Sequence, residues 1–134
     1  MLNFKKKLAF VLGGSGLIGK SVIKKLEKLE CRTLNLDIRK SKKSKYDYLK
    51  FDCTNIKDIQ NYSKIVNKYG VPDIFINCSY PKTKDWNKSS FKNIKFKSFK
   101  KNLEMQLTTS TYLVKEVAEN SRKKKKKCSI VLLS

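Results

Sequence analysis

Residues 8–21, LAFVLGGSGLIGKS, decide how this chain folds. The apolar run Leu8–Leu12 stops at Gly13, further glycines follow at 14, 16 and 19, and apolar residues at helical spacing resume from Leu17. A strand that must turn sharply and let an anion approach N–H groups at a helix N-terminus needs glycine, because any Cβ obstructs both. Two phosphate-binding patterns fit the stretch. Gly13-x-x-Gly16-x-x-Gly19 is a dinucleotide-binding turn, whereas Gly14-x-x-x-x-Gly19-Lys20-Ser21 is a literal Walker A loop. The residues outside the stretch have to decide between them.

Working outward, Leu8–Leu12 reads as a buried parallel strand and Leu17–Leu29 as a helix with Ile18, Val22, Leu26 and Leu29 inward. Thr33–Asp37 (TLNLD) is a second strand ending in an acid, followed by the basic loop RKSKKSK. Tyr46–Phe51 makes a third strand, closed by Asp52. Asn55–Tyr69 is helical, with apolar positions Ile56, Ile59, Ile65 and Val66, and Gly70 and Pro72 punctuate its end. Asp73–Asn77 (DIFIN) is a fourth strand running into the loop CSYPKTKDW. A long helix is predicted from about Ser90 to Ser121, with Phe99, Leu103, Leu107, Val114 and Val117 as its inward stripe. Ser129–Leu133 (SIVLL) is a fifth strand. Strands alternating with helices demand a parallel sheet covered on both faces. The expected fold is α/β, a doubly wound parallel sheet of about five strands.

Charge is the feature that most invites misreading. The chain of 134 residues carries 32 Lys and Arg against 11 Asp and Glu, a formal net charge of +21, and such a charge binds phosphate backbones by counterion release. Yet only Arg32, Arg39 and Arg122 are arginines, the residue type that reads bases and forks phosphates, and no RNP, KH or helix-turn-helix pattern is present. Lysines spread over the polar positions, with many Asn and Ile, fit the codon bias of an AT-rich genome better than specific nucleic-acid binding. The run Lys123–Lys127 falls at a predicted helix C-terminus, where cations suit the dipole. The absence of histidine, and of any C-x-x-C pair among four cysteines, argues against zinc sites and a Ser-His-Asp triad. Cys31, Cys53, Cys78 and Cys128 read as small buried residues of a reducing compartment. No apolar run approaches the roughly 20 residues of a membrane span, and the Lys-rich start lacks a signal-peptide pattern. A cytoplasmic protein with no membrane partner is expected.

A dinucleotide turn needs an acid at the end of the second strand, about 20 residues past the glycines, to hold the adenosine ribose hydroxyls. Asp37 stands there. A Walker A loop wants small or polar residues inside it and an acid closing a later apolar strand. Leu17 and Ile18 are bulky for that loop, and DIFIN and SIVLLS end without an acid, leaving only TLNLD to supply one.

GGSGLIG, LD at Asp37, FDCTN from Phe51 and DIFINCSYP around Asn77, in this order and spacing, resemble the short-chain dehydrogenase/reductase family. The resemblance implies that Gly13, Ser15, Gly16, Ile18 and Gly19 surround the pyrophosphate of NAD and that Asp37 takes the ribose hydroxyls. It further implies that Asp52 and Cys53 flank the adenine, and that Asn77, Cys78 and Ser79 form the loop beside the nicotinamide ribose. Asp37 repels a 2′-phosphate and so favours NAD, while Arg39 and Lys40 keep NADP within reach. Taken singly, Asp37 also fits a cap or loop acid and Asn77 a turn former; their joint order carries the reading. The family loop usually reads Asn-Asn-Ala-Gly, and Asn-Cys-Ser-Tyr-Pro here resembles a subgroup with Tyr-Pro at this point, some of it associated with surface-sugar or flagellin modification.

The family works with a Ser, a Tyr and a Lys. The tyrosine exchanges a proton with the substrate oxygen, the lysine lowers its pKa and grips the ribose, and the serine orients the carbonyl. The literal Tyr-x-x-x-Lys matches, Tyr46 to Lys50 and Tyr80 to Lys84, lie on a strand and in a proline-containing loop, and a lysine-rich chain produces such matches by chance. Ser134 matches the position just before the catalytic serine, and Asn102 and Gln106 are both near the place of an asparagine that positions a proton-relay water. No catalytic residue and no metal ligand is assigned. The resemblance implies that residues 1–134 form the partial, N-terminal NAD(P)-binding Rossmann domain of a short-chain oxidoreductase for an alcohol/carbonyl pair, inactive alone, with a Rossmann-like sheet in the order 3-2-1-4-5 that is incomplete at its C-terminal edge. A free-standing non-catalytic nucleotide-binding module is the alternative, and a P-loop NTPase using Gly14–Ser21 comes third. A small-molecule substrate is expected only in a longer form, together with an apolar edge at SIVLLS and a homo-oligomer through the long helix Ser90–Ser121.

Overall fold

The computed structural model describes residues 3–41 and 46–133. A parallel five-stranded sheet in the order β3-β2-β1-β4-β5 organises them, made of β1 (Leu8–Leu12), β2 (Arg32–Asp37), β3 (Asp47–Lys50), β4 (Ile74–Asn77) and β5 (Ser129–Leu132). This is the expected α/β order. All five residues of β1 are buried, as a continuous apolar run dictates when both faces of a central strand are covered. Successive side chains go to opposite faces. Phe10 and Leu12 join Leu34, Leu36, Tyr62, Phe75, Leu113 and Val117 on one side, while Ala9 and Val11 meet Ile23, Leu26 and Cys31 on the other. Tyr62 stands edge-on to both Phe10 and Phe75, with ring centroids 6.3 Å apart in each pair. Leu12 is in register with Leu36 and Asn77, so the chain leaves β1, β2 and β4 side by side at one rim. β5 forms the expected apolar edge, with Val131, Leu132 and Leu133 exposed.

The helices depart from expectation in instructive ways. α1 (Leu17–Lys28) buries Gly19, Ile23 and Leu26, whereas Ile18 is exposed and Val22 and Leu29 are half-buried. Gly19 sits directly on the Gly13–Gly14 backbone, and that contact sets the inward stripe at 19, 23 and 26. The helix expected over Asn55–Tyr69 is two, α2 (Ile56–Gln60) and α3 (Tyr62–Tyr69). Asn55 caps the first by accepting from Lys57 N–H at 2.9 Å, and Asn61 ends it by donating to Lys57 O at 2.8 Å. The new start turns Tyr62 into the core and leaves Ile56 exposed.

The long helix starts at Phe96 rather than Ser90. It comprises α4 (Phe96–Leu103), a π-helical segment Glu104–Thr108 and α5 (Thr109–Lys123). The expected inward stripe is corrected: Phe99, Leu103 and Leu107 are 43%, 47% and 64% exposed, and Leu113 accompanies the fully buried Val117 in place of the half-buried Val114. Up to the first turn of α5 the inward positions are polar, with Asn102 buried and Gln106 and Ser110 half-buried. Asn102, Gln106, Ser110, Leu113 and Val117 keep helical spacing across the π segment and form one inward stripe that changes from polar to apolar. Of the cysteines only Cys31 is buried; Cys53, Cys78 and Cys128 are half-buried, and all four are free thiols.

Candidate functional site

Gly13 leaves β1 with φ of 74°, where a side chain is strained. Its N–H donates to Leu36 O at 2.8 Å. A Cβ on Gly13 lies 2.8 Å from Ser79 N and Cα, so this glycine also admits the loop after β4. A Cβ on Gly19 collides with the Gly13 carbonyl oxygen and lies 2.6 Å from Gly14 Cα. Gly16 N–H closes the turn on Gly13 O at 3.0 Å, and Lys20 N–H makes the first bond of α1 to Gly16 O at 3.0 Å. Among the described residues no protein group accepts from the N–H of Leu17, Ile18 or Gly19, no side chain caps α1, and no acid stands in its first turn. Unpaired donors at the positive end of a helix, above a cradle that any Cβ fills, fit a pyrophosphate. The Walker A alternative meets a different geometry. Because α1 starts at Leu17, Gly19, Lys20 and Ser21 lie inside the helix rather than closing a loop over phosphates.

Asp37 ends β2 and is 9% exposed. Its Oδ2 accepts from Ser15 N–H at 2.9 Å and its Oδ1 from Arg39 N–H at 3.0 Å. Each carboxylate oxygen has two lone pairs, so acceptor capacity remains after both bonds. Ser15 Oγ donates to Arg39 O at 2.6 Å and accepts from Asn35 Nδ2 at 3.0 Å. Asn35 and Gly14 were not among the expected residues. A polar residue inside the buried strand TLNLD is the signal that marks the first: Asn35 is fully buried, its Oδ1 has no partner among the described residues, and a Cβ on Gly14 would strike that oxygen.

The remaining expected residues lie on the loops after β3 and β4. Asp52 organises its own turn, with Oδ1 accepting from Thr54 N–H at 2.8 Å and Thr54 Oγ1 at 2.7 Å. Cys53 Sγ donates to Ser79 Oγ at 3.5 Å and so joins the two loops. Burial pushes the Cys53 thiol up, against the pull of the Ser79 hydroxyl, and burial pushes Cys78 up as well. Asn77, 5% exposed, accepts from Ser79 N–H at 2.9 Å and Ser79 Oγ at 2.6 Å, and donates to Ser110 Oγ at 2.8 Å. Cys78 N–H donates to Leu12 O at 2.8 Å. Ser110 carries no sequence signal, being one small polar residue in a run of four. The structure thus brings the glycine turn against Asp37 through Ser15 and against Ser79 through Gly13, with Cys53 beside it and Ile18 exposed on the first turn of α1.

The residues weighed for chemistry are placed otherwise. Tyr46 and Lys50 bracket β3, Tyr80 and Lys84 lie in an irregular loop, and neither pair stands on a helix. Asn102 is spent on that loop, its Oδ1 accepting from Thr83 N–H at 3.1 Å and its Nδ2 donating to Thr83 Oγ1 and Ser98 O at 2.7 Å each. Gln106 Nε2 donates to Pro81 O at 3.1 Å. Ser134 and part of the basic loop after Arg39 lie outside the described residues.

Comparison with known proteins meets this geometry. A family model described as the NAD dependent epimerase/dehydratase family matches residues 9–119. No curated protein matches the chain. Among solved structures, a short chain dehydrogenase from Leptospira borgpetersenii with bound NAD+ superposes at TM-score 0.82 and 25% identity, over 97% of this chain and 52% of that one. A short chain dehydrogenase family protein from Francisella tularensis gives 0.70 at 27% identity, over 94% and 50%. A 4-hydroxyisoleucine dehydrogenase complexed with NADH shares the fold at 0.78 and 23% identity, over 95% and 55%. The chain spans about half the length of these structures. The matched region runs from β1 into α5 and contains the glycine turn, Asp37 and the Asn77 loop. The chain therefore belongs to the NAD dependent epimerase/dehydratase family, with the Rossmann-like sheet of the NAD-binding portion of short-chain dehydrogenases.

Proposed function

We propose that this chain binds NAD across the rim where β1, β2 and β4 end, as the cofactor-binding part of an oxidoreductase for an alcohol/carbonyl pair. The observation that carries the reading is the set of unpaired N–H groups of Leu17, Ile18 and Gly19 over the glycine cradle, with the Asp37 carboxylate anchored beside them. In this reading Gly13, Ser15, Gly16, Ile18 and Gly19 hold the pyrophosphate, and Asp37 accepts from the adenosine ribose hydroxyls. Asp52 and Cys53 flank the adenine, and Asn77, Cys78 and Ser79 border the nicotinamide ribose. The dinucleotide supplies a hydride donor or acceptor; the residues here bind it and orient it. Neither a catalytic Ser nor a helical Tyr-x-x-x-Lys is present, so substrate binding and hydride transfer belong to a longer form. Arg39 and Lys40 beside Asp37 leave NADP as a second ligand.

The same reading extends to the surroundings of the site. Residues 102–114 contain no lysine in a chain of net charge +21, and they expose Leu103, Leu107 and Tyr112. In this reading the homo-oligomer contact expected along Ser90–Ser121 is made over this stretch, where a second copy meets no opposing lysine. Four free thiols accord with a cytoplasmic, reducing location.

Calorimetric titration of the chain with NAD, NADP and ATP with magnesium tests the proposal. NAD binding that exceeds NADP binding, with no ATP heat, is expected, and Asp37→Ala weakens NAD by about ten- to a hundredfold, the worth of charge-assisted hydrogen bonds. Magnesium-dependent ATP binding without an NAD signal transfers the glycines to the P-loop reading.

A further inference from the structure

Residues 84–101, KDWNKSSFKNIKFKSFKK, are not used by the dinucleotide reading. They hold seven lysines, one acid and the large apolar side chains Trp86, Phe91, Ile94, Phe96 and Phe99. All seven lysines are exposed, and so are Phe91 at 104%, Phe96 at 79% and Phe99 at 43%. Behind these side chains lies a cavity of about 520 Å³, open to solvent and lined by Trp86, Ser89, Ser90, Phe91, Ile94 and Phe99. The patch is held in place. Asn102 ties Thr83 to α4, and Ser98 Oγ donates to the Asp85 carboxylate. Asp85 is thereby engaged within the patch, and among the described ion pairs only Lys101 of these lysines has an acidic partner, Glu104 at 3.0 Å.

We propose that this patch docks the protein peripherally on an anionic lipid bilayer. Protruding phenylalanines and a tryptophan suit the headgroup and acyl boundary, while lysine stems lie along apolar surface and carry their ammonium groups to acidic headgroups. A second copy seated here sets seven lysines against seven. Single-stranded nucleic acid accounts for the lysines and the rings, but it leaves Ile94 and the apolar cavity without a role. The expectation of no membrane partner rested on the lack of a spanning run. Among the described residues no helix is long and apolar enough to cross a membrane, and surface docking requires none.

Trp86 is the sole tryptophan of the chain and stands in the patch, so its fluorescence reports occupancy directly. The chain is titrated with vesicles of phosphatidylcholine alone and of phosphatidylcholine mixed with phosphatidylserine, and vesicle-bound protein is measured by flotation. Anionic vesicles shift Trp86 emission to the blue and carry the protein with them, salt reverses both, and neutral vesicles do neither. Phe91→Ser with Phe96→Ser weakens binding about tenfold or more without changing circular dichroism or NAD titration, since both side chains are exposed. Lys124→Glu with Lys125→Glu, at the far end of α5, leaves anionic vesicle binding within about threefold, the residual effect of a distant charge under screening. The proposal is overturned by failure to bind anionic vesicles, by equal binding to neutral ones, or by binding that ignores the phenylalanines and follows Lys124 and Lys125. It is overturned equally if single-stranded RNA, or raised protein concentration alone, moves Trp86 while anionic vesicles do not. The NAD reading stands or falls by its own titration.

Discussion

In α1 the buried positions are Gly19, Ile23 and Leu26, and the exposed ones include Lys20, Lys24, Lys25 and Lys28. In α4 the buried position is Asn102, and the exposed ones include Phe96, Phe99 and Leu103. Both helices are amphipathic with the same spacing, but they are turned opposite ways. α1 lies on the sheet, where Ala9 and Val11 await apolar partners. α4 lies against the loop after β4, whose backbone and hydroxyl groups need hydrogen bonds that Asn102 supplies. The inward face of a helix is chosen by what it meets. An apolar stripe on the outward face of a well-anchored helix then marks a surface that meets something other than water.

Charging each stripe in turn breaks or sharpens this contrast, and the largest effect belongs to α1. Ile23→Lys places an unpaired charge at a position 1% exposed and is expected to cost about 4 kcal/mol or more, enough to unfold the chain. Leu103→Lys, at 47% exposure, is expected to change stability by no more than about 0.5 kcal/mol. Urea titration followed by circular dichroism compares the two directly. Similar losses from both would mean that α4 buries its apolar stripe within the chain.

Gly19→Ala comes next. Its Cβ has only backbone around it, the Gly13 carbonyl and Gly14 Cα, so the cost is an overpacking cost of about 1–3 kcal/mol. Because the same atoms form the cradle, NAD binding falls with stability, and calorimetry and thermal melts together show both. Asn102→Ala probes the opposing helix and is expected to cost about 1–2 kcal/mol by leaving Thr83 N–H unpaired. Its effect stays local. Hydrogen exchange quickens across residues 80–90 while NAD affinity holds, since no bond of Asn102 reaches the glycine turn.

The same contrast explains what the sequence disclosed. The strands, the glycine turn and Asp37 were legible because each has a local chemical reason: an apolar run, a backbone without Cβ, an acid at a fixed distance from both. The stripe Phe99, Leu103, Leu107 was legible as a stripe, yet its direction was not, because spacing reports periodicity and not what lies opposite. The π segment Glu104–Thr108 carries no compositional mark, and the inward positions through it are Asn102, Gln106, Ser110, Leu113 and Val117. Asn35 could have been found as a polar residue within a buried strand. Ser110 could not, since its role depends on where Asn77 ends β4.

The smallest expected loss from removing a bond concerns the joint between the half of the sheet that seats α1 and the half that follows α5. The Asp73 carboxylate accepts from Leu8 N–H at 2.9 Å, at the start of β1, and from Lys7 at 3.3 Å and Lys126 at 3.2 Å. Its side chain is 16% exposed. Burial alone raises its pKa, but the Leu8 N–H and the two lysines outweigh burial and hold the carboxyl below its usual range. A carboxylate with a depressed folded pKa contributes stability above its unfolded value, about 3.9, and loses that contribution as pH falls through the folded value. Asp73→Asn is therefore expected to cost about 1 kcal/mol at neutral pH, with the gap from the parent chain closing as the parent's own carboxyl protonates in the acid range. Urea midpoints compared at neutral and acid pH measure the gap. If it keeps its neutral size in acid, the charge of the Asp73 carboxylate is not what joins the halves, and its pairing with Lys7 and Lys126 contributes nothing to stability.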